Sequence, residues 1–127
     1  MNCLLDTHFL VWIMVGVTRL DEFPWLDDYR PWGVSPVSLL ELQFLSEVGK
    51  LELDSDRLLE TLPEDRRFVV DEVPLLGLIR QAIPLGWTRD PFDRLLAAHS
   101  TTRRVPLCTV DRAMLRHHRY VVKHLRE

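Results

Sequence analysis

The chain predicts an α/β fold, a three-layer α/β/α domain with a central parallel sheet of four to five short strands. Three observations lead there. Apolar runs too brief for helices recur at 2–5, 32–34, 67–70 and 105–110. Apolar residues at helical spacing fill the intervals between them. Two helix-start signals, a capping side chain followed by proline, stand at Ser35-Pro36 and Asp90-Pro91. Strands that alternate with helices pair in parallel and are covered on both faces.

Size and composition fit that class. The 127 residues suit one compact domain, 1–127, and 46% hydrophobic with 28% charged content is ordinary for a globular protein with a real core. There is no apolar run of about 18 residues, so no membrane span is expected. Met-Asn-Cys-Leu-Leu lacks the basic start of a signal peptide, and a cytoplasmic location is the expectation. Cys3 and Cys108 lie in strand-like runs without CxxC spacing and read as buried thiols. The net charge of −3 hides an asymmetry: residues 1–85 hold 7 Lys/Arg against 15 Asp/Glu, residues 86–127 hold 9 against 4. A basic end on an acidic protein points to a polyanion partner, with a solvated face as the plain alternative.

In chain order, residues 2–5 form a buried strand ending at Asp6, and 7–14 a helix with Phe9, Leu10, Trp12 and Ile13 apolar. Gly16, Pro24 and Pro31 make 16–31 a loop with one short helix near 21–29. Residues 32–34 are a second strand. Ser35-Pro36 opens a helix with Val37, Leu40, Phe44 and Val48 on one face, joined by Leu39, Leu42 and Leu45, and Gly49 stops it. Asp54 or Ser55 caps a helix to about Leu62, and 67–70 is a third strand. Leu75, Leu76, Ile79, Ala82 and Ile83 mark the next helix, ended by Pro84 and Gly86. Asp90 opens a helix with Leu95, Leu96, Ala97 and Ala98 inside and Arg103-Arg104 at its end. Residues 105–110 are a fourth strand, Asp111 caps a helix to about His117, and 120–122 is a possible edge strand.

Four acids sit in related places. Asp6 and Asp111 each end a strand and begin a helix, and Asp93 lies in a first helical turn. In an open parallel sheet such turns share one edge, where ligands bind. Capping explains each acid singly. Glu41 is harder to explain, because it stands about a turn and a half into an apolar helix. In the alternative reading Ser38 is the cap and Glu41 its capping-box partner. Crowded carboxylates raise one another's pKa, and Mg²⁺ or Mn²⁺, which take oxygen ligands, relieve the repulsion. Two such ions can activate a water against a phosphodiester, while the basic C-terminal third holds the backbone.

Leu4-Leu5-Asp6-Thr7-His8, Ser35-Pro36-Val37-Ser38-Leu39-Leu40-Glu41, Asp90-Pro91-Phe92-Asp93-Arg94-Leu95-Leu96-Ala97-Ala98 and Thr109-Val110-Asp111 resemble, in order and spacing, the PIN-domain family, and most closely the VapC-type toxins of bacterial toxin–antitoxin pairs. The resemblance spans nearly the whole chain. It implies a Mg²⁺/Mn²⁺-dependent endoribonuclease, usually a homodimer, with an RNA substrate and a cognate antitoxin. The family's acids match Asp6, Glu41, Asp93 and Asp111, and Thr109 matches a supporting hydroxyl. Asp90 matches a subfamily addition whose other reading is the cap alone. Pro36 and Val37 replace small residues, and Leu40 replaces a frequent aromatic; no acid is lost.

Other residues carry paired readings. Arg94 either steadies a substrate phosphate or pairs with Asp90. Arg112, Arg116 and His117 are candidates for RNA phosphates, or a solvated last turn. His8 reads as a partly buried helix-start histidine, Trp12 as core, and Trp25 and Trp87 as partner contacts. The competing functions are a non-catalytic PIN-like module that binds RNA or protein, and a phosphoryl-accepting domain using Asp6. The latter lacks a second Asp two positions on, where His8 stands.

Overall fold

The computed structural model describes residues 1–126. Its centre is β1 (Cys3–Leu5), three residues with no exposed surface. Successive strand side chains point to opposite faces. Cys3 and Leu5 accordingly join one cluster with Phe9, Leu10, Val34 and Leu42, while Leu4 joins another with Leu96, Ala97, Leu107 and Met114. Both faces are covered, which is why this strand is apolar without alternation.

The sheet is parallel, in the order β3-β2-β1-β4, with β2 at Trp32–Val34, β3 at Phe68–Val70 and β4 at Leu107–Cys108. Cys3 pairs with Trp32 and Leu4 with Leu107. Gly33 leaves no room for a Cβ, which would stand 2.9 Å from the Cys3 carbonyl oxygen. The chain steps outward from β1 to β2 to β3, then returns to the opposite side of β1. The carboxyl ends of β1 and β4 therefore flank the point where strand order reverses, the place where open α/β sheets bind ligands.

The helices are α1 (Thr7–Val15), α2 (Pro36–Glu47), α3 (Ser55–Thr61), α4 (Leu75–Ala82), α5 (Pro91–Arg103) and α6 (Arg112–His117). Their starts follow the capping chemistry. Ser35 Oγ accepts from Val37 N–H, Asp54 from Arg57, Asp90 from Phe92 and Asp93, and Asp111 from Met114. Ser35, and not Ser38, is thus the cap of α2. Gly16 closes α1 at φ +75°, donating to the Trp12 carbonyl at 2.8 Å.

Several expectations need correction. Residues 16–31 hold two 3-10 segments, Thr18–Glu22 and Pro24–Tyr29, in place of one short helix. The fourth strand is shorter than 105–110. Residues 120–122 make no strand; only Val121 bridges Leu107, whose N–H donates to the Tyr120 carbonyl. The inward face of α2 is Ser38, Leu39, Glu41 and Leu42, whereas Leu40 is 64% and Phe44 48% exposed. In α4, Leu78 and Ala82 are buried against Ala98 of α5, and Leu75, Leu76, Ile79 and Ile83 face outward. Both helices are apolar on more than one side, so periodicity alone does not choose the buried stripe. No helix among the described residues is long and apolar enough to cross a membrane.

Candidate functional site

The carboxyl edge gathers the acids. Asp6 follows β1 with its backbone N–H on the Cys108 carbonyl at 2.9 Å, which ties it to β4. Its backbone caps α1, but its carboxylate makes no cap hydrogen bond. Instead Asp6 Oδ2 accepts from Thr109 Oγ1 at 2.6 Å, and Thr109 Oγ1 also accepts the Asp111 N–H at 3.0 Å. One hydroxyl therefore orients Asp6 and the start of α6 together. Asp6 is 4% and Glu41 9% exposed, an expensive place for two carboxylates without strong partners. Glu41 Oε1 accepts from Thr7 Oγ1 at 2.6 Å, and that hydroxyl lies 3.0 Å from Ser38 Oγ. Asp93 is half-buried in the first turn of α5, and among the described residues its carboxylate accepts no hydrogen bond.

Electrostatics shows that these groups share one field. Burial pushes Asp6 up, while the Thr109 hydroxyl and the His8 ring pull part-way back and Asp111 pushes further. Burial likewise raises Glu41; Thr7 offsets some of this, and Asp6 and Asp90 add to it. Asp93 goes to about 7, first through burial and then through repulsion from Asp90, Asp6, Asp111 and Glu41. Asp93 therefore feels the charge of four other acids. The acids are not drawn into a closed cage: among the described residues no three Asp, Glu, His or Cys side chains are disposed to hold a metal ion. Asp111 spends Oδ1 on its cap to Met114.

The remaining sequence candidates divide. Asp90 is an exposed cap that also repels Asp93. Arg94 makes no ion pair with Asp90; its Nε donates to the Thr88 carbonyl at 2.7 Å and Nη1 reaches the Ile83 carbonyl at 3.5 Å. The guanidinium thus braces the loop before α5. Arg112, Arg116 and His117 are exposed along α6, and His117 stacks on Trp87 with ring centroids 5.5 Å apart. Trp25 stacks on His124 at 5.0 Å, so both outer tryptophans already have an aromatic partner within the chain. His8 is exposed, contrary to the expectation of partial burial.

Sequence reasoning missed Thr7 and Ser38 as supports of Glu41, and it passed over His99. That histidine is 1% exposed on α5, with Nδ1 2.9 Å from Ser35 Oγ and Nε2 2.7 Å from Asp71 Oδ2. The one signal available was a histidine placed directly after the apolar run Leu95-Leu96-Ala97-Ala98.

Similarity to known proteins agrees with this architecture. A family model described as PIN domain matches residues 3–119. Among solved structures, a chain of a "Toxin-antitoxin complex from Klebsiella pneumoniae" aligns with a TM-score of 0.63 and 16% sequence identity, covering 94% of this chain and 95% of that one. No curated protein matches the sequence. The family match runs from β1 through α6 and includes all four acids, and on that ground the chain belongs to the PIN domain family.

Proposed function

We propose that this chain is a Mg²⁺- or Mn²⁺-dependent endoribonuclease, the toxin of a toxin–antitoxin pair. The observation that carries the proposal is Asp93, a half-buried carboxylate without a hydrogen-bond donor among the described residues, pushed to about 7 by burial and the charges of four other acids. Such a cluster at the switch point of a parallel sheet is unfavourable by itself and becomes favourable around a hard cation. The donors are all oxygen, as Mg²⁺ and Mn²⁺ require. Asp6, Glu41, Asp93 and Asp111 would hold the ion. Bound there, the metal supplies water activation and stabilisation of the leaving oxygen of a phosphodiester. Thr109 holds Asp6 through Oδ2, and Thr7 holds Glu41 through Oε1. Exposed Arg112, Arg116 and His117 lead away from Asp111 and give RNA phosphates a cationic track.

Two observations support an antitoxin partner. The structural neighbour comes from a toxin–antitoxin complex, and α2 and α4 expose apolar side chains, among them Leu40, Phe44, Leu75, Leu76 and Ile83. The outer face of α4 also suits a second copy in a homodimer, and the reading assigns the protein to the cytoplasm. Asp6→Asn should abolish RNA cleavage while the circular dichroism spectrum stays that of wild type. Cleavage by that variant at the wild-type rate would remove the assignment. The open arrangement of the acids favours a second reading, a non-catalytic module that binds RNA or protein. Mn²⁺ titration separates the two, because such a module gains no thermal stability from the metal.

A further inference from the structure

The acids of the proposed nuclease sit on separate helices, so something must hold those helices in register. The strongest device away from the acids is a buried polar chain. Val37 N–H donates to Ser35 Oγ at 3.2 Å, and Ser35 Oγ lies 2.9 Å from His99 Nδ1. His99 Nε2 lies 2.7 Å from Asp71 Oδ2, which also accepts from Arg103 Nε at 2.8 Å. Arg103 Nη2 in turn donates to the Glu72 carbonyl at 2.8 Å.

The proton positions follow from the partners. Hydrogen bonds from Arg103 and His99 overcome the effect of burial and hold Asp71 below the usual carboxylate range. An ionised Asp71 only accepts, so His99 carries its proton on Nε2. Burial holds the ring itself below the usual histidine range, so it is neutral, and Nδ1 accepts from the Ser35 hydroxyl. The titratable groups facing the ring are Asp71 and Arg103. From Val37 to Asp71 the bonds then run in one direction, and Arg103 donates to Asp71 Oδ2 from the other side.

The chain links three elements at one sheet edge. Ser35 is the cap of α2, which carries Glu41 about a turn and a half further on. Asp71 follows β3, with its N–H on the Val34 carbonyl at 3.0 Å. His99 lies on α5, six residues after Asp93. The next residue on α5, Ser100, binds His118 Nε2 at 2.8 Å and the Val105 carbonyl at 2.6 Å, which ties the same helix to the β4 side. We propose that His99 is a positioning residue: by bridging Ser35 to Asp71 from the middle of α5, it sets the spacing between Glu41 on α2 and Asp93 on α5. It touches neither substrate nor metal, and its effect on the site passes through the two helices. The inference rests on the nuclease reading, since it gives that spacing a purpose.

The test uses the full chain, Mn²⁺ as the probe, and two readouts. Half-saturating Mn²⁺ is measured by calorimetry for wild type, His99→Ala, His99→Gln and Leu58→Ala. Gln offers one donor and one acceptor at about the separation of the ring nitrogens. Leu58 is a core residue on α3 and serves as a control for general destabilisation. Hydrogen exchange is followed at the amides of Val37 and Ser38. His99→Ala should raise half-saturating Mn²⁺ about tenfold, in the range seen for outer-shell partners of metal ligands, and should speed exchange at Val37 and Ser38. His99→Gln should restore both to within about twofold of wild type, the residual expected of an imperfect isostere, and Leu58→Ala should leave the Mn²⁺ midpoint in place. If His99→Ala does not fold, Asp71→Ala, which removes the acceptor from a partly exposed position, carries the same expectations. An unchanged Mn²⁺ midpoint in the alanine variant, or an equal loss in Leu58→Ala, overturns the positioning role. Absence of Mn²⁺ binding by wild type overturns the nuclease reading itself and removes the purpose assigned to His99; the two failures are told apart by the wild-type titration.

Discussion

Replacing Asp93 by Asn should stabilise the metal-free protein and at the same time abolish its cleavage. The Asp93 carboxyl moves from 3.8 to about 7 on folding, chiefly by burial and by Asp90. Between those values the unfolded chain has released the proton and the folded chain still holds it. Stability therefore falls as pH rises through that window and levels off above about 7. Sealed from solvent, a rise of that size would correspond to about 4 kcal/mol. Asp93 is only half-buried, and solvent screening reduces the figure to about 1–2 kcal/mol. Asn keeps the shape, never ionises, and loses no hydrogen bond, because among the described residues none donates to the wild-type carboxylate. In chelator, the melting temperature of Asp93→Asn should match wild type near pH 4 and exceed it by about 3–8 °C at pH 8. Added Mn²⁺ at pH 8 should raise wild type above the variant, since the cation cancels the repulsion only where the carboxylate is present. A variant no more stable than wild type at pH 8 in chelator would refute the idea that Asp93 stands in a repulsive acid cluster.

Further expectations follow from single contacts. Thr109→Val removes the 2.6 Å donor to buried Asp6 and should cost about 1–3 kcal/mol in urea melts, with the cleavage profile moved to higher pH. His118 is buried and held to about 4 by burial and then Arg126. Its contribution is complete above pH 6.5 and is lost as pH falls from 6.5 to about 4, roughly 2–3 kcal/mol in all; His118→Asn should flatten that part of the stability profile. Leu76, 64% exposed on α4, should tolerate Asp within about 0.5 kcal/mol, and light scattering should show the mass falling to one chain if this face joins two copies.

The legible parts of this fold were local. A Ser or Asp before proline announced the starts of α2 and α5, because a side-chain oxygen two or three residues away is all that a helix start needs. Trp32–Val34 and the strand after Arg67 were short apolar runs bounded by turn residues. The acids could be expected at one edge because parallel connectivity puts every strand-to-helix turn on the same side. Two kinds of information were not local. In α2, Leu40 and Phe44 look as suited to the core as Leu39 and Leu42, and the choice lay with what the rest of the chain presented. Thr7, 34 residues from Glu41, draws that carboxylate inward, and Ser38 turns in with it.

The sequence by itself thus determined most element types and the capped boundaries, since these depend on side chains within a few residues of one another, and the parallel connectivity those elements imply brought the acids to one sheet edge. Only the tertiary structure decided which helix faces are buried and which polar groups satisfy them. Ser35 meets His99 across 64 residues and Asp6 meets Thr109 across 103. A buried oxygen or imidazole is tolerated only where such a distant partner arrives, and no local pattern announces that meeting.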